Sequence, residues 1–143
     1  MIKFTADFMK QSLDGFGENY KYPVFASIYC QSSFFSRYNA KAGFLAVADY
    51  DKLLVVEYSN FGTSEKKYIF SAHDLKNLKI KKLKVNSVYS VKSVFKVERK
   101  TIKLDIVVAE KVQSEDFPEQ PENYINFIET LKNWHINNSG GEL

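Results

Sequence analysis

The chain has 143 residues, 45% of them hydrophobic, which fits one domain with a real core and excludes a disordered chain. A net charge of only +3 says little about partners, and a single cysteine excludes an intramolecular disulfide. No stretch reaches the roughly 18 apolar residues of a membrane span, and the opening MIKFTADFMK lacks the apolar run of a secretory signal, so a cytoplasmic location is expected.

In chain order, Phe4, Phe8, Met9 and Leu13 fall about one turn apart and predict a short amphipathic helix over 2–13. Thr5 is a weak cap for it, and Gly15 and Gly17 are expected to close it in the left-handed conformation. It would cover the edge of the domain or contact another subunit. From Tyr22 the pattern changes to strands. VFASIYCQ, with Pro23 just ahead, is the first, and Gln31 to Asn39 is a loop or a strand end. GFLAVA (Gly43 to Ala48) is apolar on both faces and reads as central. Asp49 to Lys52 is a tight turn, LLVVEY (Leu53 to Tyr58) its hairpin partner, and Asn60 to Thr63 the next turn. A strand over Lys67 to Phe70 follows, then a connection from Ser71 to Asn77.

Three longer runs come next. LKIKKLKV (Leu78 to Val85) alternates apolar residues with Lys and slips once at Lys81-Lys82, which suggests a β-bulge. Asn86-Ser87 is a turn. Val88 to Glu98 places Tyr89, Val91, Phe95 and Val97 on one face, with Lys92, Lys96 and Glu98 on the other. After a turn at Arg99-Lys100, Thr101 to Val108 points Ile102, Leu104, Ile106 and Val108 inward. Clean alternation means one buried and one wet face, as in antiparallel sheets. An acidic loop, Gln113 to Gln120, leads to the strongest helical signal, PENYINFIETLKNWHI (Pro121 to Ile136). Tyr124, Phe127, Ile128, Leu131 and Trp134 share one face of that helix and are expected to act as a structural plug on the strands. Ser139 to Leu143 reads as a frayed tail.

The reading is mainly β: about seven antiparallel strands in two near-orthogonal sheets, closed by the C-terminal helix. The order of elements resembles the pleckstrin-homology (PH) fold, and the details resemble bacterial PH-like domains. The residues that carry the resemblance are GFLAVADYDKLLVV at Gly43 to Val56, KKYIFSAHDLKNLKI at Lys66 to Ile80, and FPEQPEN at Phe117 to Asn123 running into the helix with Leu131 and Trp134. It implies a PH-like barrel over 22–138, preceded by a helical extension (1–21) and followed by the tail (139–143). It also implies a binding or assembly module without catalysis, and several members of that group form symmetric oligomers. The first hairpin departs from phosphoinositide-binding PH domains. It offers only Arg37 and Lys41, so inositol-lipid recognition is not carried over.

The pronounced electrostatic feature lies between Asp74 and Lys103, where ten basic residues face only Asp74 and Glu98, a local charge of +8. Lys79, Lys81, Lys82, Lys84, Lys92, Lys96, Arg99, Lys100 and Lys103 form the candidate surface for an anionic partner. The plainest reading is a solvated face on which Lys also guards exposed edges. Alternatives are an anionic membrane and an acidic protein, including the acidic Ser114 to Glu122 segment of another subunit. Nucleic acid is disfavoured, because no recognition motif is present. Catalysis is not expected. The sequence alone places no acid–base partner within reach of His73 or His135, Cys30 sits in an apolar strand, and Asp49 and Asp51 are explained by the turn. No metal-ligand spacing occurs, and Gly15-Phe16-Gly17 is too short for a phosphate loop. Neither a cofactor nor a small-molecule substrate is expected, since inward polar residues are few beyond Ser27, Ser90 and Ser93. The leading expectation is a homo-oligomer or a complex with another protein. Membrane binding through residues 76–103 is the alternative.

Overall fold

The structure is a computed structural model, and it describes residues 4–31, 41–58, 65–83, 88–109 and 117–138. Helix α1 spans Ala6–Asp14. Seven strands follow: β1 (Tyr20–Gln31), β2 (Lys41–Ala48), β3 (Lys52–Tyr58), β4 (Glu65–Ser71), β5 (Leu75–Lys82), β6 (Val88–Val97) and β7 (Lys100–Ala109). One 3₁₀ turn, Ala72–Asp74, joins β4 to β5, and helix α2 (Gln120–Asn138) ends the described chain. The fold is mainly β with two helices. The expected turns at Asn60 to Thr63 and Asn86-Ser87, most of the Gln31 to Asn39 segment, and the tail lie outside the described residues.

All pairings are antiparallel and build one seven-stranded sheet in the order β4-β3-β2-β1-β7-β6-β5. The expected pair of near-orthogonal sheets forming a barrel is replaced by this single sheet, which hydrogen bonding does not close. Its ends meet through side chains instead: Phe70 of β4 stacks on Phe95 of β6 with ring centroids 4.8 Å apart. The short 3₁₀ turn, begun by Ser71 Oγ accepting from the His73 amide at 3.2 Å, brings these ends together.

The two faces of the sheet are covered differently. On the inner face Val24, Ala26, Ile28, Leu45, Val55, Val91, Leu104 and Ile106 pack against α2, whose Tyr124, Phe127, Ile128, Leu131 and Trp134 are all buried there. On the outer face Phe44, Ala46, Ala48, Leu54 and Val56 of β2 and β3 pack against Met9 and Leu13 of α1 and against Phe117. That double cover is why GFLAVA is apolar at every position. It comes from α1, capped by Thr5, whose hydroxyl accepts from the Phe8 amide at 3.1 Å. Gly15 closes α1 at φ −62, and only Gly17, at φ +70, takes the left-handed conformation expected of both.

Helix α2 is stitched to the strands as well as packed on them. Gln120 is 2% exposed and lies between β1 and β7 beyond the last pair, Ser27 with Val107. Its Oε1 accepts from the Phe25 amide at 3.0 Å. Its Nε2 donates to the Phe25 carbonyl at 2.9 Å and to the Ala109 carbonyl at 3.0 Å. One side-chain amide thus takes the place of ladder bonds where the two strands part. Asn123 donates to the Pro23 carbonyl, and Asn138 to the carbonyls of Ala72 and Leu75. The Trp134 indole donates to the Tyr50 carbonyl at 2.9 Å, in the β2–β3 turn. Asp49 and Tyr50 hold φ +50 and +67 there, the left-handed pair of a tight hairpin turn.

Two local expectations are corrected. Pairing is regular from Leu78 to Lys82, so no bulge sits at Lys81-Lys82; the irregularity lies between Leu75 and Asn77. Leu83, which made the pattern seem to slip, follows the end of β5 and is 36% exposed. Of the three serines read as inward, only Ser93 is, its Oγ donating to the Leu104 carbonyl at 2.7 Å. Ser27 is exposed and Ser90 half-buried, and both lie in the outward row through Val107.

Candidate functional site: a basic outer face

Alternation in β5, β6 and β7 sends one residue in two outward, and register aligns these residues across the strands. Lys79 stands opposite Lys92, Lys92 opposite Asp105, and Asp105 opposite Tyr29 of β1. On either side of that row lie Lys81, paired with Ser90, and Lys103, paired with Val94. Beyond them Lys96 pairs with Thr101. Lys79, Lys81, Lys92, Lys96 and Lys103 are all exposed and share this face. None of the five makes an ion pair within 4 Å among the described residues.

The remaining members of the predicted surface stand elsewhere. Lys82 pairs with Tyr89 and Lys100 with Val97, which gives both the inward parity. They stay exposed because they sit at strand ends. Arg99 lies in the β6–β7 turn beside Glu98, whose φ is +57. Lys84 lies outside the described residues. The face also holds groups that counting cations misses. Asp105 is a half-buried carboxylate between Lys92 and Lys103; burial raises its pKa despite the two lysines, which pull it down. Strict alternation in TIKLDIVV was the signal that could have placed it there. A lysine directly opposite a lysine is unfavourable in a sheet, and the Lys79–Lys92 pair is relieved from one side alone, by Asp105 standing opposite Lys92.

Coverage sets this face apart. The outer surface of β2 and β3 lies under α1, where Phe4 and Phe8 pack against Phe44 and Tyr58. Phe117 stacks on Phe25 at 4.9 Å with the rings nearly parallel. Over β5, β6 and β7 no described element covers the outer surface. Among the described residues, one half of the sheet's outer side is apolar and roofed, and the other is cationic and uncovered.

The inner face carries one ionic cluster among the described residues, at the end of the strands away from the Tyr50 turn. Glu57 is 5% exposed. It accepts from the Tyr68 hydroxyl at 3.3 Å and lies 3.8 Å from Lys41 Nζ. Burial and the Glu57 carboxylate push the Tyr68 phenol far up, so it stays a donor at neutral pH. Cys30 is half-buried nearby, and burial, with Glu57 adding to it, pushes its thiol up to about 11. That opposes the thiolate a nucleophile needs. Lys41, one of two cations in the first hairpin, is thus engaged by Glu57, and a buried carboxylate here repels an anionic headgroup. His73 is exposed in the 3₁₀ turn, and His135 is half-buried on α2. Among the described residues no three His, Cys, Asp or Glu side chains are grouped to hold a metal, and no helix is long and apolar enough to cross a membrane.

No family model and no curated protein matches the sequence. Among solved structures the fold is similar to the pleckstrin homology (PH) domain of USP37 at 12% identity, with 82% of this chain and 99% of that chain covered and a TM-score of 0.48. At that identity no residue role passes from one chain to the other.

Proposed function

We propose that this chain is a non-catalytic, PH-like interaction and assembly module that works through protein contacts and forms homo-oligomers. The observation that carries the reading is the uneven cover of the sheet. The roofed half is finished, whereas the other half, which no described element covers, presents Lys79, Lys81, Lys92, Lys96 and Lys103 without ion-pair partners among the described residues. A strand surface with charged groups around Val94, Val107 and Tyr29 suits a protein partner, because charge complementarity speeds encounter and fixes orientation. The sequence resemblance adds a place among bacterial PH-like domains to this reading, and a cytoplasmic setting is part of the proposal. Size-exclusion chromatography with light scattering tests assembly: a mass above that of one chain is expected, and a monomer at high concentration refutes that part. Lys79→Glu, Lys81→Glu and Lys96→Glu together are expected to abolish the contact without lowering the melting temperature, since a glutamate at position 79 would face Lys92.

A second reading has its own support. Five lysines leaving one face in one direction suit an anionic bilayer, where each contributes about 1 kcal/mol. Flotation with anionic and neutral vesicles decides between the readings. Salt-sensitive capture by anionic vesicles alone favours the membrane, and equal recovery from both sets refutes it.

A further inference from the structure

We propose that the basic outer face is one half of a head-to-tail contact whose other half is the acidic surface of a second copy, around Asp7, Glu119 and Glu122. The inference rests on reading the basic face as a protein-contact surface, and it names the partner.

The charge partition points to it. Residues 74–103 carry +8 while the whole chain carries +3, so the rest of the chain is net −5, the difference of the two. That deficit has a place in the fold. Glu119 and Glu122 are exposed at the start of α2, and Asp7 is exposed in the first turn of α1. Asp7 and Glu119 line the same open groove of about 380 Å³, with Pro23, Phe117 and Pro118 between the helices. Lys10 also lines it, but its ammonium is held by Asp14 at 2.7 Å. In the sequence, residues 113–122 contain four carboxylates and no base.

Symmetry then restricts the mode of assembly. A two-fold contact through the basic face would set Lys79, Lys92 and Lys96 of one copy against the same lysines of the other. Repulsion rules that out, and the same holds for the acidic patch against itself. Basic face against acidic patch is complementary. The two surfaces share no residue, so one copy can engage a neighbour at each. Such a contact closes a two-fold dimer where both pairs of surfaces meet at once, and builds rings or open chains where each copy engages a different neighbour at each surface.

The test uses the full chain and two variants. One carries Lys79→Glu, Lys92→Glu and Lys96→Glu; the other carries Asp7→Lys, Glu119→Lys and Glu122→Lys. Melting curves first confirm that both fold. In sedimentation velocity at low salt, the parent is expected to associate, and to dissociate at about 0.5 M salt, where screening reaches only about 4 Å. Each variant alone is expected to stay monomeric, because its two surfaces now carry one sign. An equimolar mixture is expected to associate, because each surface again meets its opposite. A monomeric mixture, or variants that associate like the parent, overturns the inference. Binding of polyglutamate by the parent keeps the underlying reading separate. If the parent stays monomeric yet captures polyglutamate through the basic face, the partner is not a second copy but the face remains a contact surface. If it does neither, both readings fall.

Discussion

Gln120 offers the sharpest test of how this fold is held. Replacing it with Met preserves chain length and volume but removes both the acceptor and the donor. The Phe25 amide then loses its acceptor, and the carbonyls of Phe25 and Ala109 lose their donor. Each buried backbone group left unpaired costs about 1–3 kcal/mol. These bonds are only partly buried, so the low end applies to each, and the three together cost about 3 kcal/mol. For a chain of this size each kcal/mol is worth roughly 3 °C, so the midpoint should fall by about 10 °C. Thermal denaturation followed by circular dichroism measures the loss, and native-state hydrogen exchange locates it. The Phe25 amide should lose protection well beyond its neighbours, because its acceptor is a side chain and not the ladder. A midpoint within about 2 °C of the parent, with Phe25 still protected, would refute the claim that this side chain replaces the ladder, since the loss of one ordinary contact costs only about 1 kcal/mol.

Three further outcomes are expected. Gly43→Ala should destabilise by about 3 kcal/mol, the upper range for overpacking; the added methyl would collide with the Val56 carbonyl oxygen and come within 2.6 Å of Ile28 Cδ1. Urea denaturation reads that loss, and an unchanged midpoint would contradict the close approach of β2 to β3. Trp134→Phe keeps most of the buried ring but strips the Tyr50 carbonyl of its donor. About 1–2 kcal/mol should be lost by the same measurement, and no change would mean that this bond contributes nothing. Cys30 supplies a pH dependence. Its folded pKa is raised to about 11 against about 8.5 in an unfolded chain, so burial favours the thiol. The contribution is fully present below about pH 8.5 and is lost as pH rises through about 11. Cys30→Ala should flatten stability across that window, and alkylation of the parent's thiol at pH 8 should be slow. Fast alkylation of the folded protein would contradict the burial.

Much of this was legible in the sequence because strands and helices write their periodicity locally. The five inward residues of α2 follow from spacing alone, as does the alternation that sends Lys79, Lys81, Lys92, Lys96 and Lys103 to one side. The β2–β3 turn at Asp49-Tyr50 could be read from residue type. What could not be read depends on residues far apart in the chain. Gln120 looks like an ordinary polar residue ahead of a helix, and its partners lie 95 residues away at Phe25 and 11 away at Ala109. Asp105 looks like one more outward residue until register sets it beside Lys92.

Local pattern thus determined which segments are strands, which face of each is apolar, and where positive charge concentrates, because those properties repeat within a few residues. Only the tertiary structure decided that the strands form one sheet that its own hydrogen bonds leave open, since closure depends on how β4 and β5 are brought together. It also decided the cover. Helix α1 has too few apolar positions to announce where it lies, yet its packing over β2 and β3 finishes half of the outer face and leaves the lysines of β5, β6 and β7 as the exposed half. Coverage is a competition for one surface among distant segments, and no window along the chain contains both contestants.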